Sequence, residues 1–317
     1  MMKNLIGILL LSLFALASCH DDENGTLSPS NVDVDWYVIK DNPNDELDHL
    51  IYEIYSKYKV PVYYNDTIGR EYRGLDANGD SIIYYKTLML GYSIEQNVTS
   101  MKYTLSEQRQ DILEGVKFLE EYVIPFQQKG MKPRCFLLVE DLIFSSDQID
   151  LYYGMSGAVV SRVAELKEMT REDKEAFGLR IRGSEWAHAL VNNYSKELEY
   201  FYGLSSVVGE DGKVTDMHLQ DVQQSSSSLF PWKDKKYYGF LSVDEEGEKY
   251  VMFQGFVKYY RCPTENADLL DFVMEVLKDD WDVFQAEYSD CPIILDKYEY
   301  LKKLMESVRD ELVEKNN

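Results

Sequence analysis

The stretch from Thr170 to Asn193 constrains the fold more than any other part of the chain. Thr170 with Asp173 three residues on is a helix-start pattern, and no proline interrupts the run to Asn193, so a single long helix is predicted there. Other segments fall around it. Leu47, Leu50, Ile51, Ile54 and Tyr55 recur at helical spacing between Asp45 and Tyr58, the signature of a helix with one apolar face. Thr104 and Glu107 suggest a second cap, with Ile112, Val116, Leu119 and Val123 continuing a helix to Pro125. Two more helices are expected at about 265–278 and 293–313.

"VPVYYND" and "DSIIYYKTLML" read as strands joined by a turn at Asn78-Gly79, and "RCFLLVEDL" as a buried strand with "SGAVVSRV" beside it. "KKYYGFL" and "EKYVMFQGF" suggest a hairpin, while the Gly-, Ser- and acid-rich residues 200–232 suggest loops. Helices and strands mix without regular alternation and without an internal repeat, which points to an α+β fold.

The first residues belong to export rather than to the fold. Lys3, the apolar run Leu5 to Leu16, and then Leu16-Ala17-Ser18-Cys19 read as a secretion signal, too short in its apolar core to remain as a membrane span. Small residues before a Cys resemble the lipobox of bacterial lipoproteins, in which cleavage leaves a lipidated amino-terminal Cys. Residues 1–18 are then the signal peptide and Cys19 the anchor to a membrane. His20, Asp21, Asp22 and Glu23 resemble the acidic export signal of surface lipoproteins from Bacteroides-like bacteria, which implies the outer membrane and its cell-surface face. Residues 19–35 are too polar to fold and form a tether. A single domain is expected over 36–317, about 280 residues, enough for a sizeable core.

The full chain has 33 basic and 56 acidic residues, a net charge of −23, and losing Lys3 makes the mature protein one charge more negative. Such a field repels phosphate backbones, so nucleic acid is not an expected partner. Besides Cys19 there are Cys135, Cys262 and Cys291, without C-x-x-C spacing. One disulfide at most fits, and Cys262 with Cys291 is a candidate pair. Cys135 lies in an apolar run and reads as a buried small hydrophobe.

Within the long helix, Glu185 and His188 form the second half of the signature H-E-x-x-H, with Ser184 where the first His would stand. Two His four apart face one side of a helix and can bind one Zn²⁺, while the Glu takes a proton from the metal-bound water. An E-x-x-H alone is more often an ordinary helix carrying one Glu and one His. With four His in all, one of them His20, a multi-histidine centre has little to draw on. Asp76-Ala77-Asn78-Gly79-Asp80 starts like a calcium loop, but Ser81 and Thr87 stand where its Gly and Glu belong, and a hairpin turn is the better reading. The 25 Tyr include the pairs 84–85, 237–238 and 259–260, which suit half-buried strands at least as well as stacking platforms for ligands. No G-x-S-x-G, phosphate loop or dinucleotide fingerprint is present.

Four segments carry a resemblance: "LDHLIYEIYSKYKVPVYY", "SEWAHAL", "GFVKYYRCPTENADLLDFVMEVL" and "KYEYLKKLMESVRDEL". Their order and wording resemble the zinc-binding metallopeptidase lipoproteins of Bacteroides-type bacteria, which are associated with outer-membrane nutrient import. The resemblance implies a zincin-like fold, with Glu185 as general base and His188 as a zinc ligand in active members. Where that family has H-E-F-A-H, this chain has Ser184 first; where it has E-D-F-x-E, this chain has Ala267, Asp268 and Asp271. A Ser hydroxyl is a weak zinc ligand and Ala offers no donor, whereas a catalytic zinc takes three protein ligands. The expectation is therefore a degenerate, non-catalytic member without a cofactor, binding peptide or glycan in the old cleft for an import complex. One alternative is an active zinc peptidase whose shell is completed by Asp268, Asp271, Glu197, Glu199 or His218; another is a purely structural subunit of a surface complex.

Overall fold

The computed structural model describes residues 34–90, 101–128, 130–144, 147–154, 157–224, 229 and 231–315. The expected signal peptide over 1–18, Cys19 and the expected tether as far as residue 33 lie outside the described residues. The chain divides into two compact units, the smaller containing residues 67–87 with the segment ending at Trp36, the larger containing 37–66 and everything from Leu88 onward. The mixed helix and strand content agrees with the α+β reading.

In chain order the elements begin with α1 (Glu46–Tyr58), β1 (Val62–Tyr63), β2 (Thr67–Leu75), β3 (Ser81–Thr87), β4 (Met101–Thr104) and α2 (Arg109–Phe118). There follow β5 (Phe136–Leu138), β6 (Asp141–Phe144), β7 (Asp147–Gln148), β8 (Leu151–Tyr153), β9 (Ala158–Val160) and α3 (Arg171–Asn193). The last part holds α4 (Ser195–Gly203), β10 (Ser206–Val208), β11 (Val214–Asp216), β12 (Asp221–Gln223), β13 (Glu245–Val251) and β14 (Gly255–Arg261). It ends with α5 (Glu265–Lys278), α6 (Trp281–Glu287) and α7 (Pro292–Lys315).

The small unit is the antiparallel hairpin β2–β3. Its turn is fixed by Asp76, whose side chain accepts from the backbone N–H groups of Asn78 (2.9 Å) and Asp80 (2.8 Å), with Gly79 at φ 86°. The expected turn is present, but the partner of β3 is β2 and not "VPVYYND". The reason is burial: Val60 and Val62 are almost fully buried, and Val62–Tyr63 enters a parallel sheet, where strands covered on both faces read as apolar runs. At Gly69 the ring of Trp36 comes so close that a Cβ would lie 2.1 Å from its Cε3.

The large unit is organised by a four-stranded sheet in the order β1-β5-β9-β8. β1, β5 and β9 are parallel and β8 is the antiparallel edge. Phe136, Leu137, Leu138, Ala158, Val159 and Val160 are buried, as a covered sheet requires. One core joins this sheet to α1, α2 and the first half of α3 through Leu47, Ile54, Val116, Phe118, Phe177 and Ile181. A second core joins the other half of α3 to α4, α5 and α7 through Trp186, Leu190, Phe201, Phe272 and Tyr298. At 23 residues, α3 is about 35 Å long and reaches both cores. Its capping box forms in full: Thr170 Oγ1 accepts from the Asp173 N–H, and the Asp173 carboxylate accepts from the Thr170 N–H. Residues 182–185 lie where one core gives way to the other.

Thr104 caps no helix. It ends β4, and α2 starts at Arg109 after an N-cap, Gln108, that makes no side-chain cap bond. Met101–Thr104 pairs with β6, so sheet pairing outcompetes the local capping pattern. "KKYY" is a short 3-10 turn, Lys235–Tyr238, rather than a strand; the observed hairpin is β13–β14, turning at Met252 to Gln254. Tyr238, Phe240, Tyr260 and Cys262 form a third core with Met217 and Val222. Cys262 and Cys291 do not form the expected disulfide. No helix among the described residues is long and apolar enough to cross a membrane.

Candidate functional site

Two close approaches place the E-x-x-H segment. A Cβ at Gly178 would fall 2.9 Å from the Tyr122 carbonyl oxygen, and one at Gly183 would fall 2.9 Å from Met274 Cγ of α5. Glycine at both positions lets α3 press against the chain after α2 on one side and against α5 on the other. After α2 the backbone widens to a π turn, Leu119–Val123, then tightens to a 3-10 turn, Ile124–Phe126, around Pro125. That change of pitch delivers Gln127 to Glu185.

Glu185 is only 4% exposed. Gln127 Nε2 donates to both of its carboxylate oxygens, at 3.0 and 3.2 Å. Burial pushes the Glu185 carboxyl up to about 7, against smaller downward pulls from Gln127 and Lys132. Gln127 Oε1 is itself buried without a hydrogen-bond partner among the described residues. Tyr153 on the edge strand β8 has its phenol pushed well above its ordinary value, by burial and then by the Glu185 charge.

His188 is exposed. Its ring stacks on Tyr153, with centroids 5.2 Å apart, and burial of the imidazole lowers its pKa. Asn192 Nδ2 stands 2.9 Å from His188 Nε2. The amide nitrogen can only donate, so Nε2 accepts and the ring proton sits on Nδ1. The lone pair that would bind a metal is occupied by a neighbour one turn along the same helix.

The other expected positions do not join His188. Ser184 lines a cleft of about 420 Å³ with Asp150, Leu151, Arg162 and Arg180, in which Asp150 pairs with Arg180 at 2.8 Å and Arg162 at 3.6 Å. Ala267 is in the first turn of α5, where its N–H donates to the N-cap Thr264 Oγ1 at 3.1 Å. Asp271 meets Ser242, and burial raises its carboxyl pKa.

Asp268 and His218 instead meet each other. His218 follows the end of β11, and its Nε2 lies 3.0 Å from Asp268 Oδ2 while its Nδ1 lies 2.6 Å from Asp216 Oδ1. Burial works against the imidazolium, yet the carboxylates at both ring nitrogens outweigh it and raise the His218 pKa. Behind Asp268 stands Lys297 of α7, fully buried, with Nζ 2.7 and 2.5 Å from the two carboxylate oxygens, 3.0 Å from Ser205 Oγ and 3.2 Å from the Gly239 carbonyl. The rings of Phe201, Phe272 and Phe240 surround the ammonium at 4.3 to 5.2 Å. Burial lowers the Lys297 pKa and Asp268 opposes that shift. Lys297 was not singled out in the sequence, although it lies on the apolar stripe Ile294, Tyr298, Leu301, Met305 and Val308, where a lysine implies a buried partner.

Among the described residues, the His, Cys, Asp and Glu side chains spaced to share a metal are Asp216, His218 and Glu265; His188 is in no such group. Comparison with protein families, with curated proteins and with solved structures finds no match for this chain.

Proposed function

We propose that this is a lipoprotein anchored through Cys19 at the outer face of the outer membrane, with a zincin-like domain whose E-x-x-H helix no longer performs hydrolysis. It binds a peptide or glycan for a nutrient-import system. The observation that carries the non-catalytic reading is His188, whose Nε2 is engaged by Asn192 at 2.9 Å. Ser184 faces a cleft whose other walls offer Asp150 already paired to two arginines, and Ala267 supplies no donor. Glu185, the residue that would act as base, is buried under Gln127. A base must reach the proton it removes, and a carboxyl held near pH 7 and sealed from solvent is poorly placed to do so.

The zincin-like reading draws support from the parallel sheet with an antiparallel edge strand beside the helix that bears Glu185 and His188. Support for ligand binding comes from the same edge. Among the described residues β8 has a strand neighbour on one side only, and the Ser184 cleft runs along it through Leu151, so an extended peptide could add to the sheet there.

The test is the metal content, by elemental mass spectrometry, of soluble protein starting at His20, purified without chelator and again after zinc exposure and dialysis. No retained zinc that depends on His188 is expected, and no peptidase activity. Near-stoichiometric zinc that disappears in His188→Ala would overturn the reading and make the protein a zinc peptidase with a rearranged site.

A further inference from the structure

We propose that Asp216, His218 and Glu265 form a site for one divalent transition-metal ion, separate from the E-x-x-H helix. One ligand atom from each lies within 4.8 Å of the others, so small rotations of the exposed Asp216 and Glu265 side chains would bring all three to a single ion with ligand bonds of about 2.0 to 2.2 Å. The three come from different places: Asp216 ends β11, His218 follows it in a turn where Leu219 takes φ 62°, and Glu265 opens α5. The fold converges them, since they are not neighbours on one helix face.

The histidine is built as a metal ligand is built. Its side chain is 3% exposed, and its Nε2 is held from behind by Asp268 at 3.0 Å. Asp268 is in turn fixed by the buried ammonium of Lys297. A carboxylate on the far nitrogen fixes the ring orientation and turns the near one towards a metal. Here the near one is Nδ1, hydrogen-bonded to Asp216 Oδ1 at 2.6 Å; unlike Asn192 beside His188, this partner is itself a proposed ligand, so an ion would replace the proton the two share. The charges agree with this. Among the described residues no Lys or Arg comes within ion-pair distance of Asp216 or Glu265, and the cationic group beside Asp216 is the His218 imidazole; a divalent ion replacing its Nδ1 proton would add positive charge between the two carboxylates. One imidazole nitrogen and two carboxylate oxygens suit the borderline ion Zn²⁺, and also the harder Mn²⁺. Three protein donors leave positions open for water or a ligand group.

Zn²⁺ titration of the soluble chain, read by equilibrium dialysis with elemental analysis, tests the site. About one ion per chain is expected in the unaltered protein and in His188→Ala. Changing a residue that only hydrogen-bonds a metal ligand already costs roughly 10- to 100-fold in affinity, so Glu265→Ala and Asp216→Ala, which remove proposed ligands, should weaken binding by at least that much. Both residues are exposed, so these variants are expected to fold, as circular dichroism would verify. Absence of binding in the unaltered protein, or unchanged affinity in folded Glu265→Ala and Asp216→Ala, overturns the site. Zinc lost in His188→Ala but kept in Glu265→Ala overturns it too, and removes the non-catalytic reading as well.

Discussion

Glu185 and Asp268 are both buried carboxyls with a histidine in the neighbourhood, yet their surroundings differ in kind. Glu185 faces an amide, Gln127, and the nearby His188 is turned to Asn192 and Tyr153. Asp268 is clasped between an ammonium and an imidazole. An amide can orient a carboxylate but cannot neutralise it, so burial at Glu185 is relieved by protonation; at Asp268 it is relieved by counter-charges. The difference teaches that motif residues alone do not locate chemistry. The helix with the recognisable spacing carries the weaker electrostatic construction, and the stronger one is assembled from α5, α7 and the segment after β11.

The largest expected effect comes from breaking the charged cluster. Lys297→Met leaves Asp268 buried with one partner fewer, and removing one member of a buried pair costs about 3 to 5 kcal/mol. Urea unfolding at pH 7 measures this, and adding Asp268→Leu should cost less than the two single changes together, because the two sites are coupled. A loss under about 1 kcal/mol for Lys297→Met, in the range of ordinary surface changes, would mean that the cluster is not a buried ion pair in solution.

Next comes the pH dependence at Glu185. Its folded-state pKa near 7 lies above the ordinary value of 4.5. The protonated form is thus favoured by folding, so its contribution is full below about pH 4.5 and is lost as pH rises through about 7. The loss integrates to roughly 3 kcal/mol. Glu185→Gln, which stays neutral, should remove that decline, and the stability difference between variant and unaltered protein should widen from pH 4.5 to 7. Parallel pH profiles for the two proteins would place Glu185 in a wetter, better-solvated setting than its burial indicates.

How much of this was legible in the sequence follows from the range of the interactions. The long helix and its Thr170 cap are local, as are the bounds of α5 with Thr264 ahead of it, and these were readable. β2 was missed because "TIGREYRGL" has two glycines and charges instead of an apolar alternation, and its partner was then assigned to the buried run at 60–66. The Thr104 pattern misled because a strand pairing with residues 141–144 outweighs a local cap. His218 and Asp268 were seen as donors that could complete a shell around His188, but pairing across 50 positions leaves no periodicity to read. Asn192, by contrast, lies four residues from His188 on a predicted helix, where such contacts are expected, and could have been found.

The family resemblance itself is sharpened by putting back the two missing donors. Ser184→His with Ala267→Glu should raise zinc affinity at the helix by on the order of tenfold or more, about 1.4 kcal/mol, in a manner lost on His188→Ala. To keep the proposed second site out of the measurement, the change is made in Glu265→Ala. A folded multiple variant with no gain would show that position 267 does not correspond to the family's downstream Glu.

The smallest effect is expected for Asn192→Ala, an exposed change that should alter stability by no more than about 0.5 kcal/mol. Its value lies in the imidazole. With the amide present, Nε2 accepts and Nδ1 carries the proton; without it, nothing among the described contacts holds that tautomer. Nitrogen-15 chemical shifts of His188 above its pKa should move from a single tautomer towards a mixture. If they do not move, Asn192 is not what occupies the nitrogen, and the strongest support for a non-catalytic His188 is withdrawn while the charged cluster around Asp268 stands untouched.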